Sequence, residues 1–332
     1  MQLRDDFVAV TVPATSANLG PGFDSLGVAL ELHDTVSVHA TTGATSVTVE
    51  GEGAGSVPED DSNLVVRALR LALDHVGAPQ VGVRMHCTNR IPHGHGLGSS
   101  ASALVAGFAL ARALVGDPEV LGAADLLQLG TDVEGHPDNV APAVLGGATI
   151  AWTEGGRAGA VRVDPPSFLR PVAFIPSFSL STSAARSVLP AVVAHADAAY
   201  NVARAALLAA VLSCGEAGPA AVLSGDADEG GAGSAGAGPV QAHGLLMAAT
   251  GDRLHQEQRR SSMEPSVALV DWLREAGYPA VVSGAGPTVL SLEAVSEEVR
   301  AQAESAGWSV RRLPVAADGV RQTRGRLAGV RP

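Results

Sequence analysis

Apolar and polar residues alternate with a period of two in four stretches of the first ninety residues: "FVAVTVPA" (7–14), "TVSVHA" (35–40), "SVTVEG" (46–51) and "VGVRMHC" (81–87). That period turns one face of an extended chain to a core and the other to water, so each stretch predicts a strand. Between the third and fourth the period changes. In "DSNLVVRALRLALDHVG" (61–77), Leu64, Ala68, Leu71 and His75 recur at helical spacing, with Ser62 placed to cap the start and Gly77 to end it. A second helix is predicted from about Ser99 to Val115 and a third over 119–133. The texture changes at "TEGGRAGAVRVDPPSFLR" (153–170), whose glycines and Pro-Pro pair suggest a domain boundary. Beyond it come a strand "PVAFIP" (171–176), helices near 183–189, 195–214 and 264–276, a strand pair in "AVVSGAGPTVLSL" (280–292), and a closing helix and strand. Strands and helices mixed in both halves predict an α+β or α/β protein of two domains.

Composition narrows the chemistry. The chain has 332 residues, 46% of them hydrophobic, enough for two modest domains with substantial cores. All 22 basic residues are arginine. Without lysine there is no Walker A lysine, no protein-kinase strand lysine and no Schiff base. The net charge of −12 argues against nucleic acid or an anionic membrane as partner, and leaves any anionic ligand to local donors. Cys87 and Cys214 lie far apart with no CxxC spacing, which fits a reduced cytoplasm. The start of the chain does not read as a signal peptide, and no apolar run suits a membrane span. The low-complexity stretch 224–244, rich in glycine and alanine, reads as a flexible surface insertion.

The candidate chemistry begins at "IPHGHGLGSSASA" (91–103). Gly94, Gly96 and Gly98 follow a predicted strand, and Ser99 and Ser100 open a predicted helix. Glycines let a ligand approach the main chain, and a helix N-terminus offers unpaired N–H groups to an anion. Phosphate can therefore be held here without lysine, although a glycine turn with a serine cap would look the same.

Two further stretches, "PATSANLGPGFDSLGVAL" (13–30) and "VSGAGPTV" (282–289), stand with "PHGHGLGSSASA" in the order and spacing of the three motifs of the GHMP small-molecule kinases. The sequence resembles that family from about Ala9 to Val315. Within it, "EGHPDNVAPAVLGG" (134–147) and "LSTSAARSVLP" (180–190) are most similar to the homoserine kinases. The resemblance implies the α+β GHMP fold: an N-terminal domain like ribosomal protein S5 over 1–165, and a ferredoxin-like C-terminal domain over 166–332. It implies ATP with Mg²⁺, and phosphorylation of the side-chain hydroxyl of L-homoserine, the step toward threonine. Other GHMP kinases and a non-catalytic ATP or amino-acid sensor are the rivals; no galactokinase signature is present.

Carried over residue by residue, the phosphate loop comprises Pro92, His93, Gly94, His95, Gly96, Leu97, Gly98, Ser99, Ser100, Ala101 and Ser102, with Ser99 or Ser100 beside the metal. Asn18, Asp24, Asp138, Asn139, Arg186 and an arginine of "DRLHQEQRR" would face homoserine, and Asn18, Asp24, Asn139 and Thr182 the reacting groups. The family usually has Pro-Tyr-Arg where this chain reads "HQEQRR", so that arginine is Arg259, with Arg260 as the alternative. The metal carboxylate of several relatives falls on Gln128, which leaves Glu134, or less strongly Asp132. Relatives are often dimers, so a homodimer is admitted.

Overall fold

The computed structural model describes residues 3–117, 119–215 and 239–323. Two sheets and their helices build it. The first half of the chain forms strands β1 (Phe7–Asn18), β2 (Gly22–Thr41) and β3 (Ser46–Gly51), helix α1 (Leu64–His75), β4 (Gly82–Asn89), α2 (Ser99–Val115), α3 (Ala123–Glu134), α4 (Val140–Leu145), β5 (Ala148–Glu154) and β6 (Arg157–Val163). The second forms β7 (Val172–Ile175), α5 (Thr182–Ser187), α6 (His195–Ser213), α7 (Pro239–Ala249), a 3-10 turn (Glu257–Ser262), α8 (Glu264–Glu275), β8 (Ala280–Val282), β9 (Val289–Ser291), α9 (Glu297–Ser305), β10 (Ser309–Arg312) and β11 (Arg321–Thr323).

The seven-stranded sheet runs β11-β1-β2-β4-β3, with β5 and β6 joined to the near end of β2; the four-stranded sheet runs β10-β7-β9-β8. β2 is long enough to serve two partners, β5 through Leu26–Val28 and β4 through Thr35–Thr41. The stretch read as a boundary at 153–170 begins as the turn of the β5–β6 hairpin at Gly155 and Gly156. Helix α1 starts at Asn63, whose side chain accepts from the Val65 N–H at 3.0 Å, while Ser62 donates instead to Asp60. The last residues of the stretch read as an insertion are helical, for α7 begins at Pro239; residues 224–238 of it lie outside the described residues.

Helix α2 is apolar almost all round and buried almost all round, packed between the sheet and α1. Gly107 is required at that crossing, since a Cβ there would meet the Val65 carbonyl oxygen at 2.4 Å. A second core joins the sheets: Leu19, Leu26 and Leu30 from the first motif pack with Val281, Leu290 and Leu313. The first and third motifs are thereby pressed together. No helix among the described residues is long and apolar enough to cross a membrane.

Candidate active site

The phosphate-loop glycines are all left-handed: φ is +68° at Gly94, +72° at Gly96 and +69° at Gly98. A Cβ at Gly96 would stand 2.3 Å from the Ser283 carbonyl oxygen, and one at Gly98 1.9 Å from Thr15 Oγ1. The loop is wedged between the other two motifs. Ser283 Oγ lies 2.7 Å from the Gly96 carbonyl and 2.8 Å from Ser16 Oγ, and the Thr15 N–H donates to Leu97 O at 3.1 Å. Asp34 holds its entrance by accepting the N–H groups of Arg90 and Ile91 at 2.6 and 3.0 Å, and burial pushes that carboxyl above its usual range.

The residues predicted for this loop divide. Gly94, Gly96, Gly98, Ser99, Ser100 and Ala101 line a cavity of about 170 Å³. Pro92 and Leu97 are buried instead in the protein, Ser102 donates to Pro13 O at 2.8 Å, and His95 Nδ1 turns back to His93 O at 2.7 Å. His93 faces a second cavity with Ser99, Ser100 and Ser102, walled by Val36, Val49, Val57, Leu64 and Cys87. The sequence reading missed this cavity, because its apolar residues are spread over β2, β3, α1 and β4 and look like ordinary core. Burial pushes the Cys87 thiol up to about 12, so it is a wall and not a nucleophile.

Opposite the loop, the first cavity brings together Asn18, Glu134, His136, Asp138, Asn139, Thr182, Arg186 and Arg259. The turn after β1 is unusual. Asn18, Leu19 and Asp24 have φ of +68°, +48° and +55°, sparsely populated angles for residues with side chains. Hydrogen bonds hold it: Asn18 Nδ2 donates to Gly284 O at 2.9 Å and Asn18 Oδ1 accepts from Asp24 N at 2.9 Å. Asn139 Oδ1 accepts from Thr15 Oγ1 at 2.9 Å. Thr182 is exposed at the start of α5, at the cavity mouth.

The charges are paired in a way that sequence spacing could not reveal. Arg186 holds Asp24 with both terminal nitrogens, at 3.2 and 2.5 Å, and the carboxylate raises the guanidinium pKa further. Asp138 is buried and meets His136 Nδ1 at 2.6 Å. Burial alone would lower the His136 pKa, but the Asp138 hydrogen bond and charge outweigh it and hold the imidazole above its ordinary value. Arg259 is 1% exposed. Its Nε donates to Ala185 O at 3.1 Å and its Nη1 to Gly284 O at 3.3 Å and His255 Nδ1 at 2.9 Å. None of these partners is a carboxylate. Burial first, then the nearby Arg186 charge, depresses its pKa to about 10. Arg260, the alternative, points away and binds Glu257 and Asp271.

Of the metal candidates, Glu134 alone lines the cavity with the serines. Its Oε1 is buried and has no hydrogen-bond partner among the described residues, as a carboxylate oxygen awaiting a hard cation would be. Gln128 lies elsewhere: it donates to Asp132 at 2.7 Å and accepts from the Ala158 N–H at 2.9 Å, tying α3 to the β5–β6 hairpin. Asp24, His136 and Asp138 also stand within 4.8 Å of one another, but Arg186 already holds the first and the other two hold each other.

Two family models match the chain, GHMP kinases N terminal domain over 63–147 and GHMP kinases C terminal over 238–307, which sets the class as a GHMP kinase. The chain is 45% identical over 315 residues to the homoserine kinase of Streptomyces avermitilis, covering 94% of each protein. It is 44% identical over 308 residues to that of Streptomyces coelicolor, covering 92% of this chain and 91% of the other. The crystal structure of homoserine kinase from Cytophaga hutchinsonii superposes with a TM-score of 0.77 at 24% identity, covering 97% of this chain and 99% of that one. Mevalonate diphosphate decarboxylase from Staphylococcus aureus shares the fold with a TM-score of 0.60 at 16% identity, covering 96% and 100%. The chain belongs to the homoserine kinase family of GHMP kinases.

Proposed function

We propose that the chain transfers the γ-phosphoryl group of ATP to the side-chain hydroxyl of L-homoserine, giving O-phospho-L-homoserine and ADP for threonine synthesis in the cytoplasm. The observation that carries this reading is Arg259, a buried guanidinium without a carboxylate partner, in one cavity with Asp138, the phosphate loop and Arg186, which holds Asp24. An amino acid supplies the missing carboxylate to Arg259, and its ammonium meets the acidic side chains. Mevalonate has no ammonium, and a neutral sugar has neither charge.

The main-chain N–H groups of Gly94–Ser100 and the start of α2 bind the phosphates, and the apolar second cavity takes the base. Ser99 and Glu134 would hold Mg²⁺, which when bound would neutralise charge on the phosphates. Arg259 and Arg186 orient the carboxylate, Asp138 the ammonium, and Asn18, Asn139 and Thr182 the hydroxyl. Without lysine there is no Asp–Lys pair to remove the hydroxyl proton. Asp24 is a poor base while Arg186 grips both its oxygens. The proton therefore leaves with the phosphoryl oxygens, and catalysis is chiefly positioning and charge neutralisation. The same reading divides the chain near residue 165, with the cavity between the two domains. A coupled ADP-release assay over homoserine, mevalonate, shikimate and galactose tests it. Turnover of homoserine alone is expected; preference for a substrate lacking an ammonium would overturn it.

A further inference from the structure

His255 is fully buried, yet it does not line the cavity. Its Nε2 lies 2.7 Å from the Gly20 carbonyl oxygen and its Nδ1 2.9 Å from Arg259 Nη1. A guanidinium can only donate and a carbonyl can only accept. The two contacts therefore fix the ring: Nε2 carries the hydrogen and donates to Gly20, and bare Nδ1 accepts from Arg259. Burial pulls the His255 pKa down, which favours the same neutral ring. Around it, the Phe23 ring lies 5.1 Å away and also faces the guanidinium carbons of Arg186 and Arg259 at 5.4 and 5.6 Å. From below, Asp252 accepts the backbone N–H groups of Leu254, His255 and Gln256, so the histidine stands on a fixed turn.

The two ends of this tie are the two halves of the amino-acid site. Gly20, with φ +85°, belongs to the left-handed turn between Asn18 and Asp24. Arg259 is the cavity arginine with no carboxylate partner. We infer that His255 is a positioning residue for substrate specificity. Its neutral ring sets the Arg259 guanidinium against the first-motif turn and leaves the positive charge of Arg259 uncancelled for the substrate carboxylate. The contrast is internal to the site: Arg186 is oriented by Asp24, an acceptor that also neutralises it. This inference rests on the reading of Arg259 as the carboxylate anchor of homoserine.

Three variants separate geometry from charge. His255→Asn keeps an acceptor near the Nδ1 position, His255→Gln keeps a donor near Nε2, and His255→Asp keeps the acceptor but adds a negative charge. Steady-state kinetics would vary homoserine and ATP separately, with melting curves beside them. His255→Gln should raise the KM for homoserine about 10- to 100-fold, because Arg259 loses its orienting acceptor. His255→Asn should raise it less than about 5-fold, and His255→Asp about 10-fold more than His255→Asn. In all three the KM for ATP should stay within about 2-fold. Equal losses in the Asn and Gln variants, or parallel changes in both KM values, would overturn the inference. If His255→Gln does not fold, the Asn–Asp comparison decides it. Side-chain ¹⁵N NMR of the wild type should show the Nε2–H tautomer, and an Nδ1–H tautomer would overturn the inference irrespective of turnover. Failure of the wild type to phosphorylate homoserine counts against the functional reading alone, and the tautomer then decides the geometry.

Discussion

The two ends of the cavity hold their ligands by opposite means. At the phosphate end, residues 94–100 offer main-chain N–H groups and two serine hydroxyls, and their one titratable side chain, His95, is turned back onto its own loop. At the amino-acid end, Asp24, Arg186 and Arg259 converge from separate elements on Glu134, His136 and Asp138 at the α3–α4 connection. An extended polyanion is matched by many weak donors in a preformed curve. A small zwitterion needs a few strong charges, each set at one point. The net charge of −12 sharpens the contrast, since the general field repels both ATP and a carboxylate and each contact must be local.

The largest effect should come from filling the curve. Gly98→Val puts a side chain where Thr15 Oγ1 stands and forces a β-branched residue to positive φ. A loss of ~10³-fold or more in kcat/KM is expected, together with ~1–3 kcal/mol of stability. Retention of near-wild-type ATP turnover would break the assignment of this loop. At the other end, Arg259→Ala should raise the KM for homoserine about 30- to 1000-fold, or ~2–4 kcal/mol, and leave that for ATP within a few-fold. Arg186→Ala should cost less, about tenfold, because Asp24 already occupies that guanidinium. Arg260→Ala, at a solvent-facing ion pair, should change neither value by more than about twofold. An Arg186 or Arg260 effect larger than that of Arg259 would reverse the ranking.

Glu134→Gln should raise the Mg²⁺ concentration for half-maximal rate about tenfold, since an amide keeps one oxygen but loses the charge. An unchanged Mg²⁺ titration would move the metal off this residue. The smallest effect is on stability. The His136 pKa is raised in the fold above 6.5, so its proton stabilises the protein fully below that value. That contribution fades as pH rises through the folded pKa. Melting curves from pH 6 to 9 should show this decline in the wild type, and His136→Gln should lack it.

The two ends also differ in how far the sequence disclosed them. The loop, its glycines and the helix from Ser99 to Val115 are local and were legible as one motif. Asn18, Asp138 and Arg186 were legible as residue types because the first motif and the "HPDN" and "STSAAR" segments carry them, and Arg259 only as one of two arginines in "DRLHQEQRR". Their pairing was not. Nothing in the spacing says that Asp24 meets Arg186 across 162 positions, or that His255 reaches Gly20 across 235. The choice between Arg259 and Arg260 turned on which side of a 3-10 turn faces inward, and that between Glu134 and Gln128 on the end of α3. Helix α1 took Asn63 in place of Ser62 as its cap because either side chain can accept at that position, and only the backbone path decides.

One strand pairing bears on how the protein is made. β1 lies between β2 and β11, with Thr11 opposite Arg321, some 310 positions further along the chain. Before reaching β11 the chain leaves the second sheet, and Ala316 and Val320 donate to Ala29 and Ala143 on the way. A ribosome adding about 5–20 residues per second takes roughly 15–60 s to cover that distance. Throughout that interval the backbone edge of β1 over Ala9–Thr11 has no strand to cover it. The nascent chain thus exposes a sheet edge until β11 has been made. A chaperone that shields strand edges should raise the yield of soluble protein more than one acting only after release.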